Sequence, residues 1–272
     1  MTYASRIDLA EAQAAVKRGA ARLSELVLAA SHPERPALGD WNVGDVAVHV
    51  SHIFSVLTAT ARGGGSIIDD VWDLGTMTKV MVAGESDRDF KTIAERIDQG
   101  SAEFLSIVDT MSPDDVRGWI VGGVEAPASM LLCHVLNEIL IHGHDIATAE
   151  HLPWPIERSD AALVIDGFLL PSLSGLGSPM VTEGARSAVA VLDIRVRGGS
   201  SAIFRFDKGT FTIEPGPPSG RVDCHLSVDP EGFLMVAWNR KSQWGEIARG
   251  HLIAWGRKPW VALKLRGMLK NP

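Results

Sequence analysis

His134, Glu138 and His142 recur at intervals of four residues in His134-Val-Leu-Asn-Glu138-Ile-Leu-Ile-His142-Gly-His-Asp145. On a helix of about 3.6 residues per turn the three side chains rise along one face, near enough for neighbours to reach a common point. Two imidazoles and a carboxylate around one point could hold a divalent cation. Met130, Leu131, Leu132, Val135, Leu136, Ile139, Leu140 and Ile141 surround the stripe with apolar surface. The stripe is therefore expected to face inward or into a cavity, and a buried glutamate needs a partner, which a metal would provide. The same spacing also describes a helix with two partly exposed histidines and a glutamate in i,i+4 pairs, and the stretch alone leaves both readings open.

A site of this kind draws on more than one element. A first helix is predicted over residues 8–30, where Leu9, Ala12, Val16, Ala20, Leu23 and Val27 keep helical spacing before His32-Pro33-Glu-Arg-Pro36 ends it. Trp41-Asn42-Val-Gly-Asp45-Val-Ala-Val-His49-Val-Ser-His52 reads as the start of a second, with Asn42 as cap and Asp45 completing a capping-box-like start. His49 and His52 lie one turn apart on it. Either could face the interior that receives Glu138 and His142, because a bundle gathers inward side chains from different helices around one point. Residues 63–88, glycine-rich and then polar, are expected to form a long excursion with little regular structure, of the kind that serves as lid or rim. A third helix is predicted over residues 90–111, ended by Ser112-Pro113, and a fourth over residues 127–150.

The pattern changes at His151-Leu-Pro153-Trp154-Pro155, where two prolines favour an extended connection. After a helix over residues 157–170, the segments 189–197, 201–206 and 210–213 alternate apolar and polar residues with glycine turns between them, which predicts an antiparallel meander. Residues 222–228 are expected to continue the sheet, followed by a helix from Pro230 to about Asn239, a strand over residues 251–255 and a closing helix over residues 258–269. Two domains follow: an all-helical one at residues 1–152 and a mixed α+β one at residues 156–272.

The chain has 272 residues, 46% of them hydrophobic and 22% charged, the balance of a soluble globular protein able to bury a core. A net charge of −7 argues against nucleic acid or an anionic membrane surface as the main partner. The N-terminus shows no basic stretch followed by an apolar run, and no segment offers about 18 uninterrupted apolar residues, so no membrane partner and a cytoplasmic location are expected. Cys133 and Cys224 are too few for a disulfide scaffold or a cysteine zinc cluster, and both are expected in the core of a protein kept in a reducing compartment.

Trp41-Asn-Val-Gly-Asp-Val-Ala-Val-His49, followed by Glu138-Ile-Leu-Ile-His142-Gly-His-Asp145, resembles the paired signature of the DinB-like, mycothiol-dependent maleylpyruvate isomerase family of actinobacteria. Val222-Asp-Cys-His-Leu-Ser-Val-Asp-Pro-Glu-Gly-Phe, Trp238-Asn-Arg240 and Ala248-Arg-Gly-His-Leu-Ile-Ala-Trp-Gly256 are similar to the sterol-carrier-protein-like domain that follows the bundle in that family. The resemblance implies a DinB-like four-helix bundle followed by an α+β domain with an antiparallel sheet.

It also places a metal triad on His49, Glu138 and His142, for zinc or another divalent ion, with a coordination position left open for water or a thiolate. His52 and His134 are the alternative ligands, and Asp145 is a second acceptor that could orient an imidazole N–H. His144 stands where similar sequences often carry an aromatic residue, and rim hydrogen bonding is its expected role. A metal-bound thiol loses its proton near neutral pH, so the resemblance implies mycothiol as cosubstrate and a thiolate nucleophile. That thiolate adds to a cis double bond conjugated with a carbonyl, rotation follows about the new single bond, and elimination releases the trans isomer. An arginine of the second domain is expected to stabilise the oxyanion, and Arg240 and Arg249 are the candidates. The alternatives are a mycothiol S-transferase acting on electrophiles, and a non-catalytic binder of an apolar ligand or metabolite. The expected partners are a small-molecule substrate and a thiol, in a monomer or homodimer.

Overall fold

The computed structural model describes Tyr3, residues 7–112 and residues 115–270; Pro113, expected to end the third helix, lies outside them. The described residues divide into two compact units, one within residues 7–156 and one within residues 157–270 together with Tyr3.

In the first unit four long helices, α1 (Leu9–Ala29), α2 (Val43–Ala61), α4 (Phe90–Val108) and α5 (Ala128–Glu150), close into a bundle in which α1 and α2 each pack on both α4 and α5. Each start has a local cause. Asp8 caps α1 through the Ala10 N–H and Asp89 caps α4 through that of Thr92. Asn42 and Asp45 exchange both hydrogen bonds of a capping box, at 2.9 and 3.2 Å, which sets the register of α2 and so the direction of His49. Gly19 lets α1 and α5 come together, because a Cβ there would lie 3.0 Å from Ile139 Cγ2. Leu23, Phe54, Phe104, Leu131, Leu132 and Ile139 are fully buried between the helices. Each contributes roughly 1.5–3 kcal/mol by leaving water.

The excursion over residues 63–88 is more regular than its sequence suggests. A 3-10 turn at Val71–Asp73 leads into α3 (Leu74–Gly84), of which only Val82 is buried. With so little apolar surface committed to the core, α3 carries no periodic stripe from which a helix could be read. Two short hairpins complete the unit: β1 (Pro36–Leu38) with β2 (Trp41–Asn42), and β3 (Val116–Gly118) with β4 (Glu125–Pro127).

In the second unit α6 (Arg158–Val164) continues through a π-helical turn, Ile165–Leu169, into α7 (Leu170–Leu176), six residues beyond the expected end. Strands β5 (Val189–Val196), β6 (Ser201–Asp207), β7 (Thr210–Pro215), β8 (Cys224–Val228) and β9 (Leu252–Trp255) form one sheet in the order β7-β6-β5-β8-β9. The meander holds for β5 to β7 only. β8 returns on the far side of β5 and runs parallel to it, from Leu192 beside Cys224 to Val196 beside Val228. Alternation of residue types marks a strand but not its neighbour, so this crossing was not legible. Helices α8 (Pro230–Ala237), α9 (Gln243–Ala248) and α10 (Trp260–Met268) follow the same core; α9, a single short turn or two, was not expected. One sheet face, with Leu192, Ile194, Phe204, Phe206, Phe211, Leu226 and Val228, is buried. Cys133 and Cys224 are buried free thiols. Val43–Ala61 and Arg158–Leu176 are long and apolar enough to cross a membrane by length and composition, but both are mostly buried as core helices.

Candidate metal centre

α5 carries Glu138 and His142 on one face, and α2, packed beside it, brings His49 to the same point. Glu138 Oε2 lies 3.2 Å from His49 Nε2 and 3.3 Å from His142 Nε2. One donor atom from each residue falls within 4.8 Å of the others. A tetrahedral zinc with bonds of about 2.0–2.1 Å has donor atoms about 3.3 Å apart, so the two glutamate edges already have the length that a shared ion needs. The imidazole rings of His49 and His142 meet edge-on, centroids 4.8 Å apart, and the indole of Trp41 flanks His49 at 5.2 Å. The three side chains are only 11, 12 and 12% exposed, so bulk water competes poorly for the site.

The charges suit a cation. Burial pulls the His49 imidazole below its usual range, and its hydrogen bond to Glu138 does not restore it, so His49 is neutral, the form in which an imidazole can coordinate a cation. Burial pushes Glu138 up, but the side chains of His134, His142 and His49 outweigh it and hold the carboxylate well below the usual range. Burial likewise pulls His142 down, yet Asp145 and then Glu138 raise it to about 9. Asp145 Oδ2 sits 3.0 Å from His142 Nδ1, which turns Nε2 toward Glu138 and increases the basicity of the ring. The donor set of two imidazoles and one carboxylate, with an oriented histidine, fits a divalent first-row metal.

The remaining residues singled out by the sequence fall elsewhere. His134 faces the other carboxylate oxygen, its Nε2 3.6 Å from Glu138 Oε1, while its Nδ1 accepts from the Trp119 indole N–H at 3.2 Å. His52 leaves the cluster: its Nδ1 is buried without a hydrogen-bond partner, and its surrounding charges are Glu85, Arg96 and Arg88. His144 Nε2 lies 3.4 Å from Thr148 Oγ1 on the outer side of α5. Arg240 and Arg249 belong to the second unit, where Arg240 donates to the Trp238 carbonyl and Arg249 pairs with Glu246 at 2.9 Å. Two residues that touch the site were not anticipated. Asn137 donates to Glu138 Oε1 at 3.2 Å, and Trp119 reaches His134 from the hairpin that precedes α5. Neither has a spacing signal, since one is adjacent to Glu138 in sequence and the other sits in a turn.

Among solved structures, the fold is similar to that of the mycothiol-dependent maleylpyruvate isomerase, at 16% identity over 91% of this chain and 93% of that chain, TM-score 0.49. A variant of that enzyme with one histidine changed to alanine gives the same identity and coverage, with a TM-score of 0.50. A UbiJ-SCP2 ubiquinone synthesis protein aligns with 36% of this chain and 73% of its own at 21% identity, TM-score 0.27. No curated protein sequence matches. The family pattern of the mycothiol maleylpyruvate isomerase N-terminal domain matches residues 10–147, which spans α1 to α5 and all three residues of the cluster. The chain belongs to the mycothiol maleylpyruvate isomerase N-terminal domain family.

Proposed function

We propose that this protein is a metal-dependent enzyme that uses a low-molecular-weight thiol, mycothiol, as its nucleophile and isomerises a cis double bond conjugated with a carbonyl, as in maleylpyruvate. The observation that supports this most directly is a buried set of three donors, His49, Glu138 and His142, whose two edges to Glu138 have the length of a tetrahedral site and whose fourth corner no protein ligand supplies among the described residues. A divalent metal there, zinc or a similar ion, would supply acidity to a bound thiol and so thiolate at neutral pH. The chain's own residues do the rest. His49 offers an imidazole that is neutral near neutral pH, Glu138 one carboxylate oxygen, and Asp145 fixes the ring of His142. In this reading Arg240 or Arg249 steadies the enolate oxygen of the adduct, and the protein works in the cytoplasm on small-molecule substrates.

The test is turnover of maleylpyruvate with and without mycothiol by the metal-loaded protein. Isomerisation that requires the thiol supports the reading. Consumption of thiol with formation of a stable conjugate would instead identify an S-transferase, and no thiol-dependent turnover of either kind would sink both.

A further inference from the structure

Taking His49, Glu138 and His142 as the metal ligands of the proposed function, we infer that Trp119 and His134 are positioning residues. They keep Glu138 Oε1 away from the metal and keep His134 itself from becoming a fourth ligand. An indole N–H can only donate, and that of Trp119 points at His134 Nδ1 from 3.2 Å, with the two rings 5.6 Å apart and inclined at 61°. Nδ1 is therefore the acceptor, and the neutral ring carries its proton on Nε2. That N–H faces Glu138 Oε1 at 3.6 Å, a few tenths of an ångström beyond a hydrogen bond. Asn137 donates to the same oxygen at 3.2 Å. The two oxygens of Glu138 thus have separate partners: Oε1 faces N–H donors, and Oε2 faces His49 and His142.

Burial makes this arrangement matter. Trp119, His134 and Asn137 are 3, 4 and 1% exposed, so water does not readily replace a donor that is removed. With Oε1 occupied, Glu138 binds through one oxygen. With a proton on Nε2 and Nδ1 turned to Trp119, His134 presents no lone pair toward Glu138 and the metal. Both effects hold the protein at three donor atoms and reserve the remaining coordination for the thiol. Without the Trp119 N–H, the proton of His134 can move to Nδ1, and a ring one turn from Glu138 becomes a ligand that closes the site.

Long-range 1H–15N NMR of the zinc-loaded full chain reads the proton and metal contacts of each imidazole nitrogen, and the His134 signals are assigned by their loss in His134→Gln. The expected spectrum shows His134 protonated on Nε2 with neither nitrogen on zinc, while His49 and His142 are metal-bound. A zinc-bound nitrogen or a protonated Nδ1 on His134 overturns the inference. Failure of the metal reading looks different: His49 and His142 signals unmoved by zinc would remove the ligand set and the positioning role together. A second measurement is zinc affinity by chelator competition. Trp119→Phe keeps the ring but loses the N–H, so in that variant a His134 nitrogen should join the zinc with no loss of affinity, whereas His134→Ala should weaken zinc roughly 10- to 100-fold. His134→Gln keeps an N–H where Nε2 was and should recover most of that loss. Equal affinity across wild type and all three variants would contradict the role.

Discussion

Binding of a divalent metal to this site requires His142 to give up a proton. Without metal, its imidazole is raised to about 9 by Asp145 and Glu138 against the pull of burial. Glu138 is already a carboxylate and His49 already neutral near neutral pH, so His142 is the group that must change. At ~pH 7 only about one molecule in a hundred has the His142 lone pair free, so zinc should bind roughly 100-fold more weakly than above ~pH 9, a difference of about 2.7 kcal/mol. Competition against a chelating dye, corrected for the dye's own protonation, should show the affinity rising about tenfold per pH unit up to ~pH 9 and levelling above it. Calorimetry in buffers of different ionisation enthalpy should show about one proton released per zinc at ~pH 7. The sign for folding is opposite. A pKa raised from 6.5 to about 9 stabilises the metal-free fold below 6.5 by roughly 3 kcal/mol, and this is lost as pH rises through about 9. The metal-free protein should therefore melt at lower temperature as pH rises through that window, while the zinc form should not follow it. A zinc affinity independent of pH, with no proton released, would refute the reasoning, because His142 would then be neutral beforehand or not a ligand.

Three other outcomes follow from the same geometry. Gly143→Ala places a Cβ 2.2 Å from Trp154 Cζ2, on the indole that donates to the Leu140 carbonyl at 3.1 Å; it should cost about 1–3 kcal/mol or more, read as a fall in melting temperature. Asn42→Ala removes the side-chain half of the capping box on α2 and should destabilise by about 1 kcal/mol in chemical denaturation. Arg240→Ala and Arg249→Ala should both keep the metal content of the wild type, and the one that serves the oxyanion should lose thiol-dependent turnover by roughly 10²-fold or more; full turnover in both would move that role to another residue.

The bundle was legible because α1 and α4 each bury a stripe at helical spacing while α2 and α5 are long apolar runs buried on most sides, and the start of α2 was legible because Asn42 and Asp45 are capping residues at the right interval. The site was legible only in outline. His134 and His142 are equally spaced from Glu138, so periodicity cannot separate them. What separates them is Trp119 on one side and Asp145 on the other, contacts at 3.2 and 3.0 Å that give two like side chains different partners. His49 and His52, one turn apart, differ in the same way: packing of α2 on α5 selects the first, while the second turns toward the charges of Glu85 and Arg96. α3 was missed because it buries almost nothing, and the parallel pairing of β8 with β5 because a strand's residues do not name its neighbour.

The central claim is that His49, Glu138 and His142 together hold a divalent metal. Elemental analysis of protein purified without a chelator or a metal-binding tag, on the wild type and on Glu138→Gln, tests it most directly. About one metal per chain in the wild type, lost in the variant while the fold is retained, is the expected result. A wild type that takes up no metal even after incubation with zinc, or a variant that keeps its full complement, would contradict the assignment.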